Sequence, residues 1–304
     1  MPEEVTLFTT CKPFQGHANL IQRNALRSWK ELCSFSEVLV FGNEAGVNEV
    51  CHELGFRNII EVSRSPFGTP LLGDLFRQAE RFAHHDYLAF INADIMLTAN
   101  PAHAVQTIGK QFDEFLLIAR RWNVEMQDEW DFQSTDWALK LDRYAVSQGT
   151  IEPPYGGADI FVYKRGMWDN LPPFAVGRTR WDSGLIYEAR CRKIPVIDAT
   201  AVLTCIHQNH DYSHIALGSA HVPKGPEATN NERLLNGAEF IFTPLNATHL
   251  LTGNGLKKNR TVYPPYLLRK LATLPALYKS FQPLAPLVRQ LAPWWRTLRK
   301  SWAG

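Results

Sequence analysis

The order of segments in the first hundred residues restricts the fold more than any other feature of this chain. Short apolar runs suited to strands alternate there with amphipathic runs suited to helices, at close to the roughly thirty residues that a βαβ unit needs. Val5–Thr10 reads as a strand, and 19–32 as a helix whose apolar face carries Ile21, Ala25, Trp29 and Leu32. Glu37–Phe41 is the next strand, followed by a short helix at Val47–Leu54 that Gly55 stops. A third strand at 58–62 and a helix at 71–83 lead to Tyr87–Ile91, which is almost wholly apolar, as befits a strand covered on both faces. These repeats predict an α/β protein, a single Rossmann-type domain with a mostly parallel central sheet. Beyond Asn100 the pattern loosens into strands at 115–119, 159–163 and 201–206 among long loops. We place the body at 1–255, in two halves at 1–100 and 101–255. The remaining 256–304 form a basic, aromatic tail that prolines break into short helical segments such as 267–274 and 287–292.

Composition narrows the class. At 304 residues with 45% hydrophobic content the chain can bury a substantial core without crosslinks, and no apolar run approaches the length of a bilayer span. Cys11, Cys33, Cys51, Cys191 and Cys205 are odd in number and lack CxxC spacing, so neither a zinc ribbon nor a disulfide framework is expected. A reducing cytosol suits them, and the acidic start Met1-Pro2-Glu3-Glu4 does not read as a signal peptide, so a cytoplasmic location is expected. The net charge of +2 hides an asymmetry: no Asp or Glu follows Glu239, whereas ten Lys and Arg do, leaving a tail of +10 on a body of −8. The tail interleaves these cations with Tyr266, Leu267, Leu268, Leu271, Tyr278, Phe281, Trp294, Trp295 and Trp302. That mixture suits the surface of an anionic membrane, giving peripheral attachment. Nucleic acid is not an expected partner, because prolines and leucines separate the cations and the body is acidic.

In open α/β sheets ligands gather beyond the carboxyl ends of the strands. Those ends here carry Thr9-Thr10-Cys11-Lys12, Gly42-Asn43-Glu44, Ser63-Arg64 and Asn92-Ala93-Asp94. No GxGxxG follows the first strand and no P-loop occurs, so phosphates need another source of positive charge. Asp94, at the end of a buried strand, suits a divalent cation held against a diphosphate. In the second half Asp182 opens a helical run after the basic loop Gly177-Arg178-Thr179-Arg180-Trp181. A general base has to be ionised, and both a helix N-terminus and neighbouring guanidinium groups favour that; an N-cap paired with Arg178 or Arg180 fits the same residue. His207 and His210 follow the strand at 201–206; with His214 they also resemble a zinc site, though without partner cysteines or HExxH spacing. Trp122, Trp130, Trp137, Tyr155, Trp168 and Trp181 suit either sugar stacking or core packing, and 127–131 reads as a flexible acceptor-side loop. Gly156-Gly157-Ala158-Asp159 lets a substrate approach the backbone, with Asp159 a second candidate for acceptor hydroxyls.

On these residues the stretch 5–215 resembles the nucleotide-sugar-dependent glycosyltransferases of GT-A fold, family 2-like. Their apolar strand running into Asp-x-Asp is similar to Phe90-Ile91-Asn92-Ala93-Asp94-Ile95-Met96, with Asn92 in place of the first acid. The resemblance implies a sugar moved from a nucleotide diphosphate to a hydroxyl of a glycan or lipid-linked acceptor, with Mn2+ or Mg2+ as cofactor. It implies Asp94 on the metal with His207 or His210 as last ligand, and Asp182 as the catalytic carboxylate that inverting members keep at a helix start. Thr9 and Lys12 are then expected near the base or ribose, Glu44 near the nucleobase, and Thr10 among the substrate-binding residues. Arg64, Asn92, Asp159, Arg178, Arg180 and Trp181 complete the expected substrate-binding set. Two other functions fit the sequence: a metal-dependent nucleotidyltransferase, and a catalytically silent glycan-binding or membrane scaffold.

Overall fold

The computed structural model describes residues 4–32, 37–210, 225–261 and 264–292. The chain runs β1 (Val5–Thr10), α1 (Gly16–Glu31), β2 (Glu37–Phe41), α2 (Val47–Leu54), β3 (Arg57–Ile59), α3 (Leu72–Phe82), β4 (Tyr87–Ile91) and β5 (Ile95–Leu97). It continues as α4 (Pro101–Gly109), β6 (Leu116–Ala119), β7 (Arg121–Val124), α5 (Trp137–Gln148), β8 (Thr150–Ile151), β9 (Ile160–Lys164), α6 (Trp181–Cys191), β10 (Val196–Asp198) and β11 (Cys205–Gln208). The last elements are α7 (Pro226–Leu235), β12 (His249–Thr252), β13 (Gly255–Lys258) and α8 (Pro264–Leu277).

Nine strands form the main sheet in the order β13-β12-β10-β6-β9-β4-β1-β2-β3, and β5-β11-β7-β8 form a smaller one. The first half is parallel throughout: β1 lies between β2 and β4, with Leu7 opposite Val38 and Ala89. β9 runs antiparallel to both neighbours, β4 and β6. Side chains alternate across the pleat and both faces are covered, so the apolar runs feed two cores. Val5, Leu7, Val38, Val40, Ala89 and Ile91 pack on one face with Trp29 of α1; Phe8, Leu39, Phe41, Leu88 and Phe90 pack on the other with α3 and α6. The second core is an aromatic layer in which the Phe76 ring lies 5.0 Å from Phe8 and 5.2 Å from Tyr163. Offset and edge-on rings at these separations add to the burial itself.

The strands at Val5–Thr10, Glu37–Phe41 and Tyr87–Ile91 and the helix at Val47–Leu54 carry the bounds expected of them, and Gly55 ends α2 at φ 74°. β3 is shorter than expected and stops at Ile59. The strand expected at 201–206 begins only at Cys205, so His207 lies on it instead of after it. The loosely patterned second half also holds β7, β8, β10, the β12–β13 hairpin and helices α4, α5 and α7 that the sequence pattern did not announce, as it did not announce β5 at the end of the first half.

The C-terminal segment is helical in pieces, but Pro275 does not end the first piece as expected: α8 runs from Pro264 through Pro275 to Leu277, a 3-10 turn spans Lys279–Leu284, and 285–292 is helical again. The division after residue 255 falls inside β13, one residue into a strand paired with β12. α8 packs on α6, burying Tyr266, Ala272 and Thr273, and Arg289 reaches back to Glu239 at 2.6 Å, so this charge has a partner in the body. Trp294, Trp295 and Trp302 lie outside the described residues. Among the described residues no helix is long and apolar enough to cross a membrane.

Candidate functional site

β4 ends at Ile91 and the chain turns at once, the Ile95 amide donating to the Asn92 carbonyl at 3.1 Å. The turn delivers Asp94 to the start of β5. β11 pairs antiparallel with β5, His207 opposite Ile95, and this register sets Asp94 beside the end of β11, where the Gln208 amide donates to the Asp94 carbonyl at 3.3 Å. Beyond the strand His210 comes back to the same carboxylate. His207 Nε2 lies 3.8 Å and His210 Nε2 3.2 Å from Asp94 Oδ2, and one ligand atom from each of the three residues falls within 4.8 Å of the others. Asp94 Oδ1 and His207 Nδ1 are buried with no hydrogen-bond partner among the described residues. Burial pushes the Asp94 carboxyl up, but the His210 hydrogen bond and the fields of His207 and Lys12 outweigh it and hold the group well below the usual carboxylate range. Burial pushes His207 down, which favours the neutral ring that binds metals. An ionised carboxylate with an unused buried oxygen beside two imidazoles is a donor set that fits a divalent cation.

Asp182 sits in the first turn of α6. The loop before it is held by α7: Asn231 bonds both backbone groups of Ala175, at 2.9 and 3.0 Å, and the Thr179 carbonyl at 3.1 Å. Buried Glu227 accepts from Ser65, from Thr69 at 2.9 Å and from Arg178 at 2.8 Å, tying two loops to one helix. Arg180 adopts φ 84°, unusual for a residue with a side chain, and pairs with Glu232 at 3.1 Å. The environment of Asp182 corrects the expectation that its position keeps it readily ionised. Burial pushes the carboxyl up; the Ser183 amide and Arg180 oppose this and the Asp159 charge reinforces it, leaving the group at about 6. Gly157 leaves room for this carboxylate, since a Cβ there would meet Asp182 Oδ2 at 2.8 Å.

Asp159 is already engaged. Arg121 Nη1 donates to its two oxygens at 3.0 and 3.1 Å, and Asn92 Nδ2 donates to Oδ1 at 2.8 Å. The amide at 92 thus has a physical reason: a carboxylate in its place would face another carboxylate at hydrogen-bond range. Glu44 pairs with Arg64 at 2.7 Å through Oε1, while its Oε2 and Thr10 Oγ1 are buried without a hydrogen-bond partner among the described residues. Gln22 grips the Lys12 backbone at both ends, accepting from its amide at 2.6 Å and donating to its carbonyl at 3.0 Å.

One cavity of about 810 Å³ gathers Thr10, Lys12, Glu44, Asn92, Asp94, Asp159, Arg178, Arg180, Trp181, Asp182, His207 and His210. Of the expected residues Thr9 and Arg64 stay outside its lining. Thr9 is fully buried, its hydroxyl donating to the Ile91 carbonyl at 2.6 Å, whereas Arg64 acts through Glu44. Trp181 is 95% buried against Phe90 and Phe161 and so belongs to the core below the cavity, not to an open stacking platform. The loop at 127–131 does not line the cavity: Asn24 bonds the Asp128 carbonyl and the Trp130 amide, fastening it to α1. Sequence reasoning missed Arg121, Gln22 and a wall contributed by the C-terminal segment, Leu268, Arg269 and Ala292. Arg121 had a signal, an arginine pair directly after the apolar run at 115–119; Gln22 and the wall had none.

No protein-family model matches the chain, and no curated protein matches it. Among solved structures it is similar to S. aureus TarS, at 13% identity and a TM-score of 0.47, over 96% of this chain and 53% of that one. The chain thus spans about half the length of that protein. It is also similar to the 1–349 segment of S. aureus TarS in complex with UDP-GlcNAc, at 13% identity and a TM-score of 0.48, over 99% and 91% of the two chains. A third similar structure is glucosyl-3-phosphoglycerate synthase from Mycobacterium tuberculosis in complex with Mn2+, uridine-diphosphate and glucosyl-3-phosphoglycerate, at 13% identity and a TM-score of 0.40, over 70% and 75%. At such scores the likeness carries no argument about activity, which rests on the cavity's own side chains.

Proposed function

We propose that the chain is a glycosyltransferase of the GT-A kind, moving a sugar from a nucleotide diphosphate to an acceptor hydroxyl. The observation that carries this reading is that a metal-fitting triad and a buried carboxylate line one cavity at the carboxyl ends of parallel strands. Asp94, His207 and His210 would hold a manganese or magnesium ion, which when bound offsets the charge of a diphosphate. Thr10 Oγ1 and Glu44 Oε2 supply buried polar atoms for the nucleoside, Glu44 accepting from a base N–H or a ribose hydroxyl. Lys12, on a backbone fixed by Gln22, adds a cation on the same side.

The reaction needs a proton acceptor at the acceptor hydroxyl. As that oxygen bonds to the anomeric carbon, Asp182 takes its proton, the bond from that carbon to the diphosphate oxygen breaks, and its electron pair leaves with the nucleotide. A carboxyl at about 6 suits this role, since it is ionised at neutral pH yet basic enough to accept a proton. Arg178 and Arg180, held by Glu227 and Glu232, face the same space and stabilise charge that develops on the departing group. The acceptor is a glycan or lipid-linked hydroxyl, and the site of action a cytoplasmic membrane surface that the basic C-terminal segment meets. The test is to incubate the full chain with a panel of nucleotide sugars, with and without manganese, and follow nucleotide diphosphate release. Metal-dependent release that Asp94→Ala abolishes supports the reading; binding and turnover of none of the panel overturns it.

A further inference from the structure

The C-terminal segment has a role in both the surface and the cavity. Twelve large apolar side chains are exposed among the described residues, and seven of them lie between 267 and 291. Leu267 and Leu271, 44% and 58% exposed, share one face of α8, four residues apart. Leu287 and Leu291 repeat the spacing beyond the 3-10 turn, and Tyr278, Phe281 and Leu284 are exposed at the turn itself. So dense an apolar exposure is unusual on a soluble surface and marks a contact. Exposed cations alternate with these residues along the chain: Lys257, Lys258 and Arg260 precede α8, Lys270 and Lys279 fall among the apolar side chains, and the sequence holds no acid after Glu239, which pairs with Arg289.

The adjoining face of the same helix opens into the cavity. Leu268, about 100° round the helix from Leu267, lines it together with Arg269, and Ile241, Leu245 and Ala292 extend the apolar wall. Past Ala292 the sequence continues with Trp294, Trp295, Arg296, Arg299, Lys300 and Trp302, residues rich in indoles and cations that lie outside the described ones. Exposed apolar residues interleaved with cations complement an anionic bilayer, where leucines and indoles enter the interface and lysines meet the headgroups.

We infer that α8 and the helical stretch 285–292 seat the protein on an anionic bilayer, and that the apolar wall beside them admits an amphiphilic acceptor, a sugar head group carried on a lipid. This rests on the glycosyl-transfer reading for the acceptor, but the bilayer contact stands on the surface itself. A lipid whose tail stays in the bilayer or against Leu268 presents its head group toward Asp182, and the arginine at 269 sits where a headgroup phosphate would pass.

The full chain is tested by co-sedimentation with vesicles of phosphatidylcholine alone and of an equal mixture with phosphatidylglycerol. We expect binding to the mixed vesicles, weakened at least tenfold by the double variant Leu267→Glu and Leu271→Glu. Leu139→Glu, at a 50% exposed site on α5, should leave binding unchanged. Both variants should melt as the parent does, because the substituted side chains are exposed. Transfer is then measured to dodecyl and methyl glycosides of the same sugars, and the dodecyl series should show a KM at least tenfold lower, an advantage that Leu268→Asp removes. Equal vesicle binding by parent and double variant overturns the bilayer face. So does a parent dimer in sedimentation velocity that the double variant dissolves, which makes the face a subunit contact. Equal KM for the two series overturns the amphiphilic acceptor. Nucleotide-sugar binding, measured separately by thermal shift, tells which reading has failed: vesicle binding without it refutes the transferase, and its presence without vesicle binding refutes the present inference.

Discussion

Asp182 should lower the stability of the fold at the pH where it works, and this can be measured. Raising a carboxyl from 3.8 to about 6 amounts to about 3 kcal/mol against its charged form. The native value lies above the unfolded one, so between them the native state holds a proton that the unfolded chain lacks, and stability falls as pH rises through this window. Above about pH 6 the full penalty remains in the folded protein. Asp182→Asn removes the charge with little change of shape. It should therefore raise unfolding free energy by on the order of 1–3 kcal/mol at about pH 8, with the gain shrinking toward about pH 4. The same substitution should lower turnover by about 100-fold or more, because an amide accepts no proton. In the parent, kcat/KM should fall as pH drops through about 6, where the base becomes protonated. Urea unfolding of both proteins across pH, set beside turnover, makes the comparison. A variant no more stable than the parent at about pH 8 would refute the burial argument, and a variant with parental turnover would refute the assignment of the base.

Asp94→Ala should abolish metal-dependent turnover and the manganese binding seen by calorimetry without loss of fold, and of His207→Ala and His210→Ala one should raise the metal requirement more than the other. Gly157→Ala should push the Asp182 carboxylate aside, lowering kcat with little change in donor KM or melting temperature, because its Cβ meets only the end of a side chain, 2.8 Å away. Asn231→Ala leaves both backbone groups of Ala175 without their buried partner and should destabilise by about 2 kcal/mol or more in urea titrations, an effect that a parental unfolding midpoint would contradict.

The first half of the fold was legible because its signals are local. A strand buried on both faces is a run of apolar residues whatever surrounds it, and Tyr87–Ile91 and Glu37–Phe41 could be bounded from that alone. The second half depends on pairing between distant segments. β7 is Arg-Trp-Asn-Val and β10 is Val-Ile-Asp, three or four residues each, and what makes them strands is the neighbour they find in β11 and β6. The α7 helix, polar along much of its length, is positioned through Glu227 and Asn231, whose partners lie at Ser65, Thr69 and Ala175. No window of sequence contains those contacts.

The residues of the site were legible as types, but their electrostatics came only with the geometry. Sequence put Arg178 and Arg180 next to Asp182 and suggested that guanidinium charge would keep it ionised, yet Glu227 and Glu232 hold those two groups. Arg121 is likewise committed to Asp159, and Arg64 to Glu44. The cavity thus meets a ligand with most of its arginine charge already matched by carboxylates, while Asp94 and Asp182 face inward as carboxylates of their own. A diphosphate entering such a space brings more negative charge to a wall that already carries it, and the low-dielectric surroundings strengthen the repulsion. The convergence of His207 and His210 on Asp94 fits that imbalance, because a divalent cation held there would add two positive charges to those of arginines already shared with carboxylates. The same pairing explains why Asn stands at 92: with Asp159 already present and committed to Arg121, an amide completes the network without adding another charge that the cavity would have to neutralise.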